Sequence, residues 1–361
     1  MHYRSFFTIL ILLFSAELVS AQTYSEKKTY MKSLPVNREM TLEIDNKYGS
    51  IHITSWNEDS VMIKAEVEAY ASDHKRLNKM FLGVDVNITG SSSLVRAQTS
   101  FIQNISLLFE SFKGLTSKFI PYESKLQINY FVNAPEYMDI RITNRYGDVY
   151  MENNTGNLTL NLSNGAFKAN SLNEINSAEL LFCDVTINKL VKARLNASFS
   201  EVEIDESQDL NISSISSKFN LERAGIVRTE SRRDKFYIGT ADLLKGNSYF
   251  TDFRIEELQR EINMDTKYGD LDVDFISKKI EMITINSDFT DISLTFDPSV
   301  SYSLDIRNLN TFLVLPDGVV KVEEKTLNEE RKEYITYGTV GRNPGNTKVM
   351  INATRGNIYI K

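Results

Sequence analysis

Cysteine is almost absent: Cys183 stands alone in 361 residues. One thiol closes no internal disulfide, and no CxxC pair or Cys/His spacing offers a zinc site. Histidine is scarce too. Of three residues, His2 lies in an N-terminal targeting segment, leaving His52 and His74. Glycine (16) and proline (6) are few, which excludes collagen-like sequence and glycine-rich calcium repeats. Positive charge is not in excess; a net charge of -7 argues against a nucleic-acid binder, which needs a basic face to neutralise phosphates. With 42% hydrophobic residues the chain is not disordered throughout.

Only one run is strongly apolar, Phe6–Phe14. It is too short to span a bilayer, which takes roughly 20 residues. Arg4 precedes it and Val19-Ser20-Ala21 follows with small residues at the cleavage positions. Residues 1–21 therefore read as a signal peptide cleaved before Gln22. Position 22 is not Cys, so no lipid anchor is expected. The mature chain is expected outside the cytoplasm with no integral membrane span, and Cys183 is expected as a buried apolar residue.

What the chain does contain is a repeat. Asn46–Ile53 (NKYGSIHI), Asn144–Met151 (NRYGDVYM), Thr266–Val273 (TKYGDLDV) and Ala353–Ile360 (ATRGNIYI) are four copies of one word, a turn followed by an alternating strand. Degenerate copies fill the gaps. Their first inward residues are Val149, Phe167, Val185, Val202, Phe219, Phe236, Phe253, Leu271, Ile292 and Phe312, spaced 17 to 21 apart. The second inward residues are Met151, Ala169, Ile187, Ile204, Leu221, Ile238, Ile255, Val273, Leu294 and Val314. A weaker apolar set falls half a period later, as at Leu158/Leu160, Leu210/Ile212 and Ile262/Met264. A period this short excludes helical repeats of 33 residues or more, and no leucine-rich signature is present. The expected fold is all-β: a parallel β-helix, a solenoid of 17–21-residue rungs over residues 137–361.

A lone rung buries about four large apolar side chains, at roughly 1.5–3 kcal/mol each, against roughly 1–2 kcal/mol per residue of backbone ordering. Rungs must therefore stack. Asparagine, about 30 residues, clusters at the turns (Asn153, Asn154, Asn164, Asn170, Asn196, Asn247, Asn286, Asn308, Asn310), where turn formation and stacked side-chain hydrogen bonds are expected.

Residues 22–136 lack rung spacing and are expected to form a β-rich cap with one or two short helices. Strands are predicted at 40–44, 50–55, 60–70, 83–89, 94–101 and 125–133. Helices are predicted at 73–81, capped by Ser72 or Asp73, and at 101–119, where Ile105, Leu108, Phe109 and Phe112 form one stripe. The word at Asn46 reads as a first rung interrupted by an insertion. Near the other end, residues 318–346 read as a charged loop or hairpin, and Lys348–Lys361 as a strand closing the final rung.

No constellation singles out a catalytic centre. His52 faces away from Ile51 and Ile53, and His74 opens a helix. Asp270, Asp272 and Asp274 share one strand face, with Asp288 and Asp291 one rung on; a solvated face is the expected reading and a cation site the sharper one. Arg228, Arg232, Arg233 and Lys235 cluster near Phe236 on what read as successive rungs, as a polysaccharide-cleaving β-helix enzyme would need near its acids. Outward Tyr150, Tyr237 and Tyr359 read as ordinary strand residues before a binding stripe. No catalytic, metal or cofactor residues are assigned.

The words at Asn46–Ile51 and Asn144–Val149, with Trp56, the Asn133-Ala-Pro135 step and Arg355–Ile360, resemble the bacterial putative-adhesin head-domain family. That resemblance covers nearly the whole mature chain. It implies a parallel β-helix of the cell envelope, periplasmic or at the surface of a Gram-negative cell, and no catalytic residues. The expected function is a non-enzymatic binding scaffold for an envelope protein or glycan, with no cofactor. The alternatives are a carbohydrate-active enzyme or a periplasmic regulatory partner.

Overall fold

The computed structural model describes residues 24–101, 124–316, 319–342 and 347–361. The targeting segment and the stripe at Ile105–Phe112 lie outside the described residues. Among those described the chain is β throughout but for one helix, His74–Leu82, and no helix is long and apolar enough to cross a membrane.

Two compact units are present. Of the described residues, the first takes in 24–29, 66–85, 100–101 and 124–127. Its helix begins where the sequence predicts, because the Asp73 carboxylate accepts the Arg76 N–H at 2.7 Å. It ends at Gly83, whose N–H returns to the Met80 carbonyl. Leu77, Met80 and Phe81 supply the buried face. Lys28 lies 4.6 Å over the Phe81 ring, and Lys27 pairs with Glu66 at 2.6 Å.

The second unit, residues 30–65, 86–99 and 128–361, carries the repeat. Parallel strands run side by side in one register: Val202 lies beside Phe219, Phe219 beside Phe236, and Phe236 beside Phe253. The chain thus returns to its own edge, one strand over, every 17 residues in this stretch. Nine of the ten predicted first inward residues are buried, and the Phe219, Phe236 and Phe253 rings stack at 4.6 and 4.8 Å. The half-period residues Leu158, Leu160, Leu210, Ile212, Ile262 and Met264 are buried as well.

The word at Asn46 is a rung of this array. Thr41–Lys47 pairs with Asp139–Arg145, so Asn46 meets Asn144 across almost a hundred residues, and Ile51 meets Val149. The intervening segment supplies a further rung on the other flank: Leu94–Gln98 lies along Thr41–Asp45, and Tyr130–Pro135 along Ile51–Trp56. Buried Val95, Ala97, Tyr130 and Val132 alternate as rung residues do. No repeat word marks them, so sequence periodicity passes over them.

The opposite end departs from expectation in two ways. Lys348–Thr354 does not close the array. It lies between Met282–Asp288 and Ser303–Leu309, parallel to both. The outer flank of Tyr302–Leu309 is instead covered by an antiparallel hairpin, Val319–Asn328 and Glu333–Val340, built from the charged stretch. Phe312 is therefore not an inward residue. It is 62% exposed, and its neighbour Leu313 is the residue aligned with buried Ile358. The Ile292-to-Phe312 step skips the rung that the terminal strand supplies.

Candidate binding surface

Each rung turns one corner in the same way. Three residues before the first inward residue, the backbone enters the left-handed region: Tyr48, Tyr146, Asn164, Phe182, Phe199, Ser216, Arg233, Phe250, Tyr268, Phe289, Arg355 and, on the outermost rung, Asn310 all have φ between 49° and 66°. The N–H of a corner residue donates to a carbonyl of the adjoining rung, as from Phe199 to Ile215 (3.0 Å), Ser216 to Arg232 (2.9 Å) and Phe250 to Lys267 (2.9 Å).

The next residue decides how rungs stack at the corner. Where it is glycine, the adjoining backbone fills the space a side chain would need. A Cβ on Gly147 would lie 2.0 Å from the Gly49 oxygen. Elsewhere a short polar side chain accepts a backbone hydrogen bond from the preceding rung. Cys183 N–H donates to Ser200 Oγ (3.0 Å), Ser200 N–H to Ser217 Oγ (3.2 Å), and Ser217 N–H to Asp234 Oδ1 (2.7 Å). Asp234 is fully buried. It also accepts from the Ser214 hydroxyl and the Arg232 N–H. Burial pushes its carboxyl above the usual range, against the pull of these three donors. Cys183 is buried and its thiol is likewise pushed up by burial, so it fills a corner.

Seven of these twelve corner residues are aromatic. Left-handed backbone costs a non-glycine residue about 1–2 kcal/mol. Stacked aromatic pairs return roughly 0.5–1.5 kcal/mol. The two offset each other, so stability does not explain the choice, and the chain itself uses Asn164, Asn310 and Ser216 at equivalent corners. Phe182 and Phe199 stack at 5.1 Å, Phe250 and Tyr268 at 4.6 Å, and Tyr268 and Phe289 at 5.1 Å. Phe182, Phe199 and Phe250 remain about half exposed.

Beside the corner runs an open groove of about 1020 Å³. One side of it carries a column of exposed hydrogen-bonding side chains, Glu230, Asn247, Asp265, Asn286 and Asn352, and buried Ser231, Ser248, Thr266 and Ser287 line its floor. Asn286 donates to Asp265 (2.6 Å) and Asn352 to Asn286 (2.9 Å). Its wall carries Arg232, Tyr249, Lys267 and Asp288. Lys267 pairs with Asp288 at 3.0 Å, and Arg232 lies 5.5 Å over Tyr249. A second amide ladder, Asn153–Asn170–Asn188, joins at 2.8 and 3.1 Å.

The sequence candidates are distributed as follows. His52 is stacked between Phe131 and Tyr150 and bonded to Ser50 Oγ at 2.9 Å; burial lowers its pKa, with Asp148 opposing. His74 meets Tyr24, ring to ring, at 4.1 Å. Asp270 aligns with Asp291, and burial followed by Asp252, Asp272 and Asp291 raises its pKa. Burial and then Asp274 raise that of Asp272. Asp274 pairs with Arg254, and Asp291 already accepts both the N–H and the amide of Asn357. Asp288 sits before the Phe289 corner and Asp291 after it, so the two belong to different faces. Among the described residues no three His, Cys, Asp or Glu side chains are grouped to hold a metal ion. Arg228 and Arg232 lie at the end of one strand, Arg233 is its corner and Lys235 opens the adjoining strand, and Arg228 is ion-paired with Asp209. Tyr150, Tyr237 and Tyr359 are separated by polar rungs and form no stripe: Tyr237 lies between Asn220 and Arg254. The aromatic column lies instead at the corners, with an offset of three residues before each inward position as its sequence signal.

No protein-family model and no curated protein matches the chain. Among solved structures it is similar to a putative cell adhesion protein of Clostridium sporogenes, at 11% identity over 93% of this chain and 99% of that one, with a TM-score of 0.17. It is similar to a putative adhesin of Bacteroides fragilis, at 10% identity over 93% and 98%, with a TM-score of 0.30. It is also similar to a putative lipid binding protein of Parabacteroides distasonis, at 10% identity over 74% and 93%, with a TM-score of 0.33. Proteins named as adhesins are thus among its neighbours, and no ligand or activity is carried over from them.

Proposed function

We propose that the chain is an exported parallel β-helix of the cell envelope that binds an extended glycan in the groove beside its corners, without catalysis. The single observation behind this is the column Glu230–Asn247–Asp265–Asn286–Asn352. It repeats hydrogen-bonding groups once per rung, at about 4.8 Å, along an open groove. A chain of sugars lying along it meets a fresh donor or acceptor at every rung. Pre-formed side-chain hydrogen bonds hold the amides in place before binding, which lowers the ordering cost.

Capture of envelope glycans on the immobilised protein, followed by calorimetry on the captured fraction, tests the reading. N286A/N352A is expected to weaken binding by at least about tenfold, since each lost bidentate amide removes roughly 1 kcal/mol or more. Unchanged affinity in that variant sinks the groove as the site.

Asp270 and Asp272, two carboxyls on one strand face whose pKa values are both raised by burial and neighbouring acids, favour a second reading, a carbohydrate-active enzyme that uses the pair. Release of oligosaccharides from acidic polysaccharides, abolished in D272N, is its expected signature.

A further inference from the structure

The corner column carries more than the groove requires. Leading up to the groove's first rung, where Ile215 lies, Leu181, Phe182, Phe199 and Ile215 are 43%, 54%, 53% and 45% exposed. They form one contiguous apolar patch, because Leu181 precedes the corner residue Phe182, the N–H of the following Cys183 is bonded to Ser200 beside Phe199, and the Phe199 N–H is bonded to the Ile215 carbonyl. The ridge continues through Tyr249, Phe250, Tyr268 and Phe289. From Phe182 to Arg355 it crosses eight rungs, roughly 34 Å at the usual strand spacing.

Its charge is one-sided. In the corner column and the column before it, this stretch holds Arg232, Arg233, Lys267 and Arg355. Asp288 is the one acid there, and it is ion-paired with Lys267. Arg355 lies 4.6 Å over the Phe289 ring. The whole chain carries a net charge of -7, so this ridge runs against the overall sign. The acids Asp184, Glu201, Asp252 and Asp270 begin two residues past the corners, on the adjoining face.

We infer that this ridge docks the protein on an anionic lipid surface. Sugar stacking fits it poorly. The rings lie against one another with interplanar angles of 10° to 23°: Tyr268 is stacked on both faces and Phe289 lies between Tyr268 and Arg355, while Phe182 and Phe199 cover one face of each other. Leu181 and Ile215 offer nothing to a hydroxylated ligand. Ring edges and aliphatic side chains enter the headgroup–acyl boundary, while arginine and lysine on the same line meet lipid phosphates. The acidic face beyond the corners turns away from the lipid. Arg232, Tyr249, Lys267 and Asp288 belong to both the ridge and the groove wall, so Phe182 and Phe199, which lie outside the groove, separate this inference from the groove's ligand.

Flotation of the purified protein with vesicles tests it. Vesicles of phosphatidylglycerol and phosphatidylethanolamine are expected to carry the protein, and pure phosphatidylcholine vesicles to carry far less. F182S/F199S, which installs the residue already used at Ser216, is expected to reduce binding at least about tenfold with an unchanged circular dichroism spectrum. R232Q/R233Q is expected to reduce it by about fivefold per charge, and high salt to mimic that loss. N286A/N352A is expected to float like the native protein. No flotation with anionic vesicles, flotation unaffected by both ridge variants, or loss of glycan binding in F182S/F199S without any vesicle binding overturns the inference. Vesicle failure with intact glycan binding leaves the groove reading standing.

Discussion

Phe199 and Phe236 are the same residue type in opposite circumstances. Phe236 is buried between two stacked rings, and F236A is expected to cost about 3–5 kcal/mol. Phe199 is half exposed on left-handed backbone. F199G relieves the backbone and removes one stacking partner, so urea unfolding is expected to place it within about 1 kcal/mol of the native protein. A loss above about 2 kcal/mol would make the ridge a structural device. Asp234 offers a second test at this scale. Its carboxyl titrates above the unfolded value, so its contribution to stability is complete below about pH 3.9 and declines as pH rises through the native value. D234S keeps an acceptor for the Ser217 N–H, as Ser200 does for Cys183, and has no charge to bury. The stability difference, native minus D234S, is expected to be more favourable to the native protein at pH 4 than at pH 7. A difference independent of pH contradicts this account of Asp234.

Corners and strands differ in how far the sequence discloses them. Alternation put Val202, Ile204, Phe219 and Leu221 inside without any tertiary information, because period two in a strand sends alternate side chains to one face. The start of the helix at 74–82 was equally open to reading from Asp73. The corner column was missed, although it recurs three residues before every inward position, because its aromatics look like further core residues. Only the positive φ at each one turns them outward. The corner glycines carry a sharper constraint. G147A would put a Cβ 2.0 Å from backbone that cannot move away alone, and a loss of at least about 3 kcal/mol in denaturant titration is expected. Tolerance of alanine there would mean the rungs stack less closely than Gly49 and Gly147 indicate.

For the array as a whole, both ends follow from the danger of an open strand edge. The charged hairpin 319–340 covers the flank of Tyr302–Leu309, and its outer strand bears Glu323, Glu324 and Lys325, which discourage further pairing. Replacing 319–340 by a short flexible linker is expected to produce concentration-dependent association in light scattering, with the interior rungs still protected from hydrogen exchange. Truncation before Lys348 is expected to do more harm. It withdraws a strand paired on both sides, so exchange is expected to quicken in both 282–294 and 303–309. Equal effects of the two changes would deny the terminal strand its interior place.

By itself the sequence determined the period, the inward residues of nearly every rung, the capped helix and the rung begun at Asn46. Each rests on neighbours within a few residues or on recurrence at a fixed spacing, and both are written along the chain. The tertiary structure alone decided which strands lie side by side when the period breaks. Leu94–Gln98 and Tyr130–Pro135 make a rung without a repeat word, and Lys348–Thr354 enters between two strands already laid down. It also decided that seven aromatics stand at left-handed corners, five of them exposed. Those outcomes depend on backbone hydrogen bonds between residues dozens of positions apart, and on one dihedral angle per turn, neither of which leaves a pattern in residue type alone.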